Sequence, residues 1–141
     1  MTAWRLVAYK QLNARQKENY NFQKLAAALA DYGFNCLRLT DDWEGADFIA
    51  CHVDGQTFLK VQLKGRLAFD RKYCGKNIHI AFRDGDHFYL YPHDVLLNDV
   101  MALGLVKGSD SWEQKGTYHF SSLSQKQLNL LRPYRIAPYR R

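Results

Sequence analysis

The chain has 141 residues, 47% apolar and 24% charged, a length and balance that fit one folded domain. Twenty Lys and Arg stand against 14 Asp and Glu, and the net charge of +6 favours a polyanionic partner. No apolar run approaches the roughly 18 residues of a membrane span. The opening Met1-Thr2-Ala3-Trp4-Arg5 lacks the pattern of a secretory leader, so a cytoplasmic protein with no membrane partner is expected. The three cysteines, Cys36, Cys51 and Cys74, are too few and too far apart for a disulfide framework or a zinc knuckle. The histidines show neither HxxxH nor HExxH spacing.

Residues 5–9 (Arg-Leu-Val-Ala-Tyr) are expected to add an edge strand. Residues 13–32 carry apolar side chains at three- and four-residue steps (Tyr20 or Phe22, Leu25, Ala28, Leu29, Tyr32), the stripe of an amphipathic helix. Asn13 is suited to cap its start and Gly33 to end it. A strand over 34–39 is followed by a polar, acidic loop at 40–45. A second strand spans 46–53, and Asp54-Gly55 marks a hairpin turn. The third strand, 57–67, alternates: Leu59, Val61, Leu63 and Leu67 on one face, Lys60, Gln62, Lys64 and Arg66 on the other.

Residues 70–77 form a basic, irregular connection. Strands over 78–83 and 87–91 flank a second turn at Asp84-Gly85, and Pro92 opens a short helix that ends at Gly104. A loop over 108–116, a strand over 117–120 and a helix over 124–131 complete a single α+β domain, residues 1–131. Residues 132–141, with four arginines, two prolines and no period, read as a basic tail.

One constellation carries chemistry. Asp47 interrupts the apolar strand Ala46-Asp47-Phe48-Ile49-Ala50, where a lone carboxylate needs a reason. The hairpin that follows lets Asp47 lie beside Gln62 and Lys64, bringing an anion, a neutral oxygen ligand and a cation together. That set suits a hard cation such as Mg2+ (or Mn2+), which takes oxygen ligands and keeps several waters. Asp47, the Gln62 side-chain oxygen and the Leu63 carbonyl would be its ligands. Lys64 would stand beside the bound water or a phosphoryl oxygen.

In this order, the helix ending at Gly33-Phe34, Gly45-Ala46-Asp47-Phe48-Ile49-Ala50, the hairpin and Val61-Gln62-Leu63-Lys64 resemble the PD-(D/E)XK, or restriction-endonuclease-like, nucleases. The resemblance covers about residues 13 to 100. It is nearest to the branch with Gln at the second acidic position, as in Mrr-type restriction enzymes and intron-encoded homing endonucleases. It implies a three-layer core, a central mixed β-sheet flanked by helices. It also implies Asp47 as the metal-binding aspartate, Gln62 at the second motif position and Lys64 as the catalytic lysine. The family often adds a helix-borne Glu, expected here near Asn21. Glu18, one turn earlier on much the same face, replaces it, or that acid is absent.

Arg66, Arg71, Lys72 and Lys76, interleaved with Phe69 and Tyr73, are the expected DNA-contacting residues. Arg83, Lys107, Lys115 and the tail, with Tyr134, Tyr139, Arg140 and Arg141, are weaker candidates. The resemblance implies a metal-dependent endonuclease on double-stranded DNA, acting as a homodimer. Two other readings stand beside it: a catalytically inactive nucleic-acid-binding module on the same fold, and a protein-interaction domain.

Overall fold

The computed structural model describes residues 2–106 and 108–136; Lys107 and Tyr139, Arg140 and Arg141 of the tail lie outside them. Helix α1 (Ala14–Ala30) starts at Asn13, whose side chain accepts the Gln16 N–H at 2.9 Å while the Gln16 side chain accepts the Asn13 N–H. It ends before Gly33, which takes φ +86°, a conformation glycine adopts without a Cβ penalty.

Strands β1 (Phe34–Trp43), β2 (Ala46–His52) and β3 (Phe58–Lys64) form an antiparallel meander. The short β4 (Ala68–Asp70) leads through a 3-10 turn to the hairpin β5 (Ile78–Asp84) and β6 (His87–Pro92). Helix α2 (His93–Ala102), a wide π-type turn (Ser111–Lys115), β7 (Thr117–His119), α3 (Gln125–Leu131) and β8 (Arg135–Ile136) follow. The main sheet has six strands in the order β1-β2-β3-β5-β6-β8, and its mixed character comes from the parallel β3–β5 pair. β4 and β7 pair separately.

Each sheet face has its own core. Leu25 and Leu29 of α1 pack on Phe48, Ala50, Val61, Ala81, Phe88 and Leu90. The opposite face packs Ile80, Phe82 and Tyr91 against Leu96 and Val100 of α2 and Leu131 of α3. This is a three-layer, α+β arrangement. Tyr91 ties the small sheet to the large one: its buried hydroxyl donates to the Ala68 carbonyl at 2.6 Å and accepts the Ala68 N–H at 3.3 Å.

Four departures from the expected elements have physical reasons. Residues 5–9 form no strand; Leu6 and Val7 are exposed and the chain makes only a 3-10 turn at Tyr9–Gln11. β1 runs on through the acidic residues 40–43, because an exposed edge strand tolerates polar side chains on both faces. Its register shifts between Arg38 and Trp43, and Glu44 (φ +55°) and Gly45 (φ +89°) make the tight turn into β2. β3 stops at Lys64, so Leu67 enters the α2–α3 core rather than the α1 core that holds Leu59 and Leu63. Arg135–Ile136 pairs with Phe88 and Tyr89 of β6, giving the start of the expected tail a place in the sheet.

Buried His93 braces the β4–α2 corner. Its Nε2 accepts the Asp70 N–H at 3.1 Å, which puts the ring proton on Nδ1, 2.8 Å from Asp94 Oδ1. Burial holds the His93 pKa below the usual imidazole value, and burial acts on His79 in the same direction. Both contributions to stability are therefore complete above about pH 6.5, the unfolded value, and fall away as pH drops toward the lower folded values. Urea midpoints measured from pH 7.5 to 5 should fall steadily, and less steeply in His93→Gln. A second check concerns Gly45, where an added Cβ would lie 3.0 Å from the Tyr73 ring at positive φ. Gly45→Ala should cost about 1–3 kcal/mol by the strain of that conformation alone. Gly55→Ala, facing open space, should cost less by the same urea assay.

Candidate functional site

The β2–β3 hairpin and α1 enclose a cleft of about 510 Å3 lined by Asp47, Gln62, Leu63, Lys64, Glu18 and Asn21, with Tyr9, Lys17 and Arg38 around them. The residues singled out from the β2–β3 sequence thus meet in one place. Backbone pairing of β2 with β3 runs from Cys51↔Phe58 to Phe48↔Val61. Just beyond it, the Leu63 N–H donates to Asp47 Oδ2 at 2.9 Å, so the carboxylate is fixed to the strand that carries Gln62 and Lys64.

Asp47 is half-buried. Burial raises its pKa above the usual aspartate value; the Leu63 N–H and the charges of Arg38 and Lys64 pull it down without cancelling the rise. The Lys64 ammonium lies 5.5 Å from the centroid of the Tyr73 ring. Arg38, on β1, donates to Asn19 Oδ1 at 2.8 Å and stacks on Phe22 at 5.1 Å, which holds its charge at the mouth of the cleft.

Two buried acceptors here lack a protein partner: Gln62 Oε1 and Asn21 Oδ1. Leaving such an atom unsatisfied costs about 1–3 kcal/mol, which a water or a ligand facing it recovers. With the Asp47 carboxylate they are oxygen atoms lining one cleft, the ligand type that a divalent cation such as Mg2+ or Mn2+ takes. The Asn21 amide is oriented by its Nδ2, which donates to the Tyr9 hydroxyl at 2.9 Å. Glu18 lines the same cleft one turn away but is exposed.

The expected DNA-contacting run lies differently. Arg71 binds the Glu113 carbonyl (3.4 Å) and carboxylate (3.7 Å) and stacks on Trp112 at 5.0 Å, anchoring the π-type turn. Lys76 lies 3.9 Å from Glu44, and Lys72 stands over Tyr73 at 5.2 Å. Arg66 is exposed just beyond β3.

A second group of metal-ligating types gathers at Cys74, His93 and Asp94, whose ligand atoms lie within 4.8 Å of one another. Both His93 nitrogens are already engaged, and Asp94 Oδ2 accepts the Gly75 N–H at 2.8 Å. A metal would have to take the Nδ1 proton from a ring whose Nε2 must stay unprotonated, so these groups act first as a hydrogen-bonded brace.

Sequence reasoning missed Asn21 as an oxygen donor, Arg38 as a cation and Tyr9 as a positioning group. Asn21 was legible as the residue standing where an acid was sought. Tyr9 was not, since nothing in the sequence relates it to a side chain twelve residues on.

No protein-family model matches the chain, and no curated protein matches it. Among solved structures, the bacterial homing endonuclease I-Ssp6803I aligns with a TM-score of 0.51 and 18% identity, over 87% of this chain and 86% of that one. The Holliday junction resolvase Hjc of Archaeoglobus fulgidus aligns with a TM-score of 0.39 and 15% identity, over 50% of this chain and 74% of that one. The first likeness shows the fold, the restriction-endonuclease-like α+β architecture expected from the sequence. Among the described residues, no helix is long and apolar enough to cross a membrane.

A carboxyl whose pKa rises on folding opposes folding wherever it is ionised. Asp47→Asn keeps an acceptor for the Leu63 N–H and removes the charge. Its thermal midpoint at neutral pH should therefore equal or exceed the parent's by calorimetry. A fall of many degrees would mean that the carboxylate serves the fold.

Proposed function

We propose that this chain is a divalent-metal-dependent endonuclease that hydrolyses DNA phosphodiesters at the Asp47 cleft. The observation that carries the reading is the convergence of one tethered carboxylate, two partnerless amide oxygens and a lysine in a single cleft. The fold, shared with a homing endonuclease, agrees with it.

A cation bound there would supply an activated water and polarise the phosphoryl oxygen. Asp47 and Gln62 would hold it, with Asn21 as a third side-chain oxygen and the Leu63 carbonyl available beside them. Lys64 places a positive charge where the attacked phosphate gains negative charge, and the Tyr73 ring limits where its ammonium can sit. In the reaction a water oxygen bonds to phosphorus, the bond to one ester oxygen breaks, and that oxygen leaves with a proton. Lys64, as an ammonium, orients and stabilises the developing charge. Arg38 and Lys17 at the cleft mouth attract the polyanion. Cutting both strands of a duplex calls for two such clefts, hence a homodimer.

A second reading, a DNA-binding module without catalysis, is favoured by the scarcity of acid. Asp47 is a half-buried carboxylate, Glu18 is exposed, and burial already works against ionising Asp47. Supercoiled plasmid separates the two. The nuclease reading predicts nicking that requires Mg2+ or Mn2+, stops with EDTA, is abolished in Asp47→Ala and falls about 100-fold or more in Lys64→Ala. DNA binding without metal-dependent nicking of plasmid, duplex or branched DNA would leave the silent module.

A further inference from the structure

The Asp47 cleft continues into a trough whose lining includes none of residues 66–76. It shares Tyr9, Asn21, Lys64 and Gly65 with a second hollow of about 370 Å3 that reaches Arg83 and Phe88. A third hollow of about 370 Å3 starts at Arg83 and Phe88 and ends at Tyr20 and Lys24. The path runs along α1 and out over the β5–β6 hairpin.

Cations stand along this path on a scaffold of two tyrosines. The Tyr9 and Tyr20 rings lie 5.2 Å apart. Lys17 sits over Tyr9 at 5.4 Å, Lys24 over Tyr20 at 5.4 Å, and Arg83 faces both rings at 5.6 and 5.7 Å. Such contacts fix charge without neutralising it. Among the described residues no ion pair involves Lys17, Lys24, Arg38 or Lys64. Arg83 donates Nε–H to the Gly85 carbonyl at 2.7 Å, and its ion-pair partner is the fully exposed Asp86 at 4.0 Å. The acids on the path are Asp47 and Glu18 at its start, Asp86 beside Arg83, and Asp31 near its far end. In the 66–76 run, Arg71 and Lys76 are paired with Glu113 and Glu44, while among the described residues no ion pair involves Arg66 or Lys72.

The geometry points to this trough as the seat of one substrate strand, with Lys17 and Arg83 gripping its phosphates beside the cleft. The inference rests on the proposed DNA substrate, not on cleavage. Lys17 and Lys24 are seven residues apart on α1, about 10 Å at about 1.5 Å per residue. That length matches roughly three phosphates of a duplex strand at about 3.4 Å of axis each. Tyr9 and Tyr20 act as positioning residues, holding the cations toward the strand.

The test uses the full chain carrying Asp47→Asn, so that bound DNA is not cut, and a labelled 20-base-pair duplex titrated by anisotropy from 50 to 200 mM NaCl. Each lost phosphate contact should lower the slope of log K against log salt by about 0.9. Lys17→Ala with Arg83→Ala should therefore lower it by about two and weaken binding at least tenfold at 50 mM. Arg83→Lys with Lys17→Arg should restore most of it. Lys76→Ala, at a charge already paired with Glu44, should leave slope and affinity near the parent's. Should Arg83→Ala fail to fold by circular dichroism, Lys17→Gln with Lys24→Gln on the surface of α1 puts the same question. Parent-like binding by the trough variants, or the loss falling on Lys76 instead, overturns the inference while leaving the nuclease reading standing. No binding by the Asp47→Asn protein at 50 mM NaCl overturns both.

Discussion

The hydrogen bond from the Leu63 N–H to the Asp47 carboxylate is the interaction on which the site depends. It joins β2 to β3 just where their backbone pairing has ended, so a side chain completes what the ladder leaves open. By the same bond an acid is held half-buried, away from bulk water, next to Gln62 and Lys64. The other neighbour of β3, β5, pairs with it in parallel as far as Lys64↔Phe82, which holds the Gln62–Lys64 segment where β2 no longer does. The sheet order and the site geometry are one constraint seen at two scales.

The cleft is locally unfavourable. Burial raises the Asp47 pKa, and the Gln62 and Asn21 oxygens have no protein partner. The two cores offset this: Leu25, Leu29, Phe48 and Val61 on one face, Phe82, Tyr91, Leu96 and Leu131 on the other. Polar atoms left unsatisfied in a well-packed scaffold are where a ligand gains most from binding, because it meets donors and acceptors already desolvated and fixed.

Much of this was legible in the residues. Asn13 and Gly33 bound α1, Asp54-Gly55 and Asp84-Gly85 marked two hairpins, and a lone Asp in an apolar strand pointed to β2. What was hidden depended on tertiary neighbours. Residues 40–43 look like a loop because an edge strand exposes both faces. Residues 5–9 have strand chemistry but take no sheet partner here. The expected DNA-contacting run is basic in sequence, yet Arg71 and Lys76 are engaged by acids 42 and 32 positions away, Glu113 and Glu44, which no local pattern reveals. Conversely, Lys17, Lys24 and Arg83 gather only because α1 lies across the β5–β6 hairpin.

The most direct test of the central claim is anomalous diffraction from crystals of the protein grown with Mn2+ and an uncleavable DNA duplex. The account predicts an anomalous peak within bonding distance of Asp47 and Gln62, facing Lys64, and its absence from Asp47→Asn crystals. A peak at Cys74, His93 and Asp94 with none at Asp47, or DNA bound with no metal at either place, would contradict it.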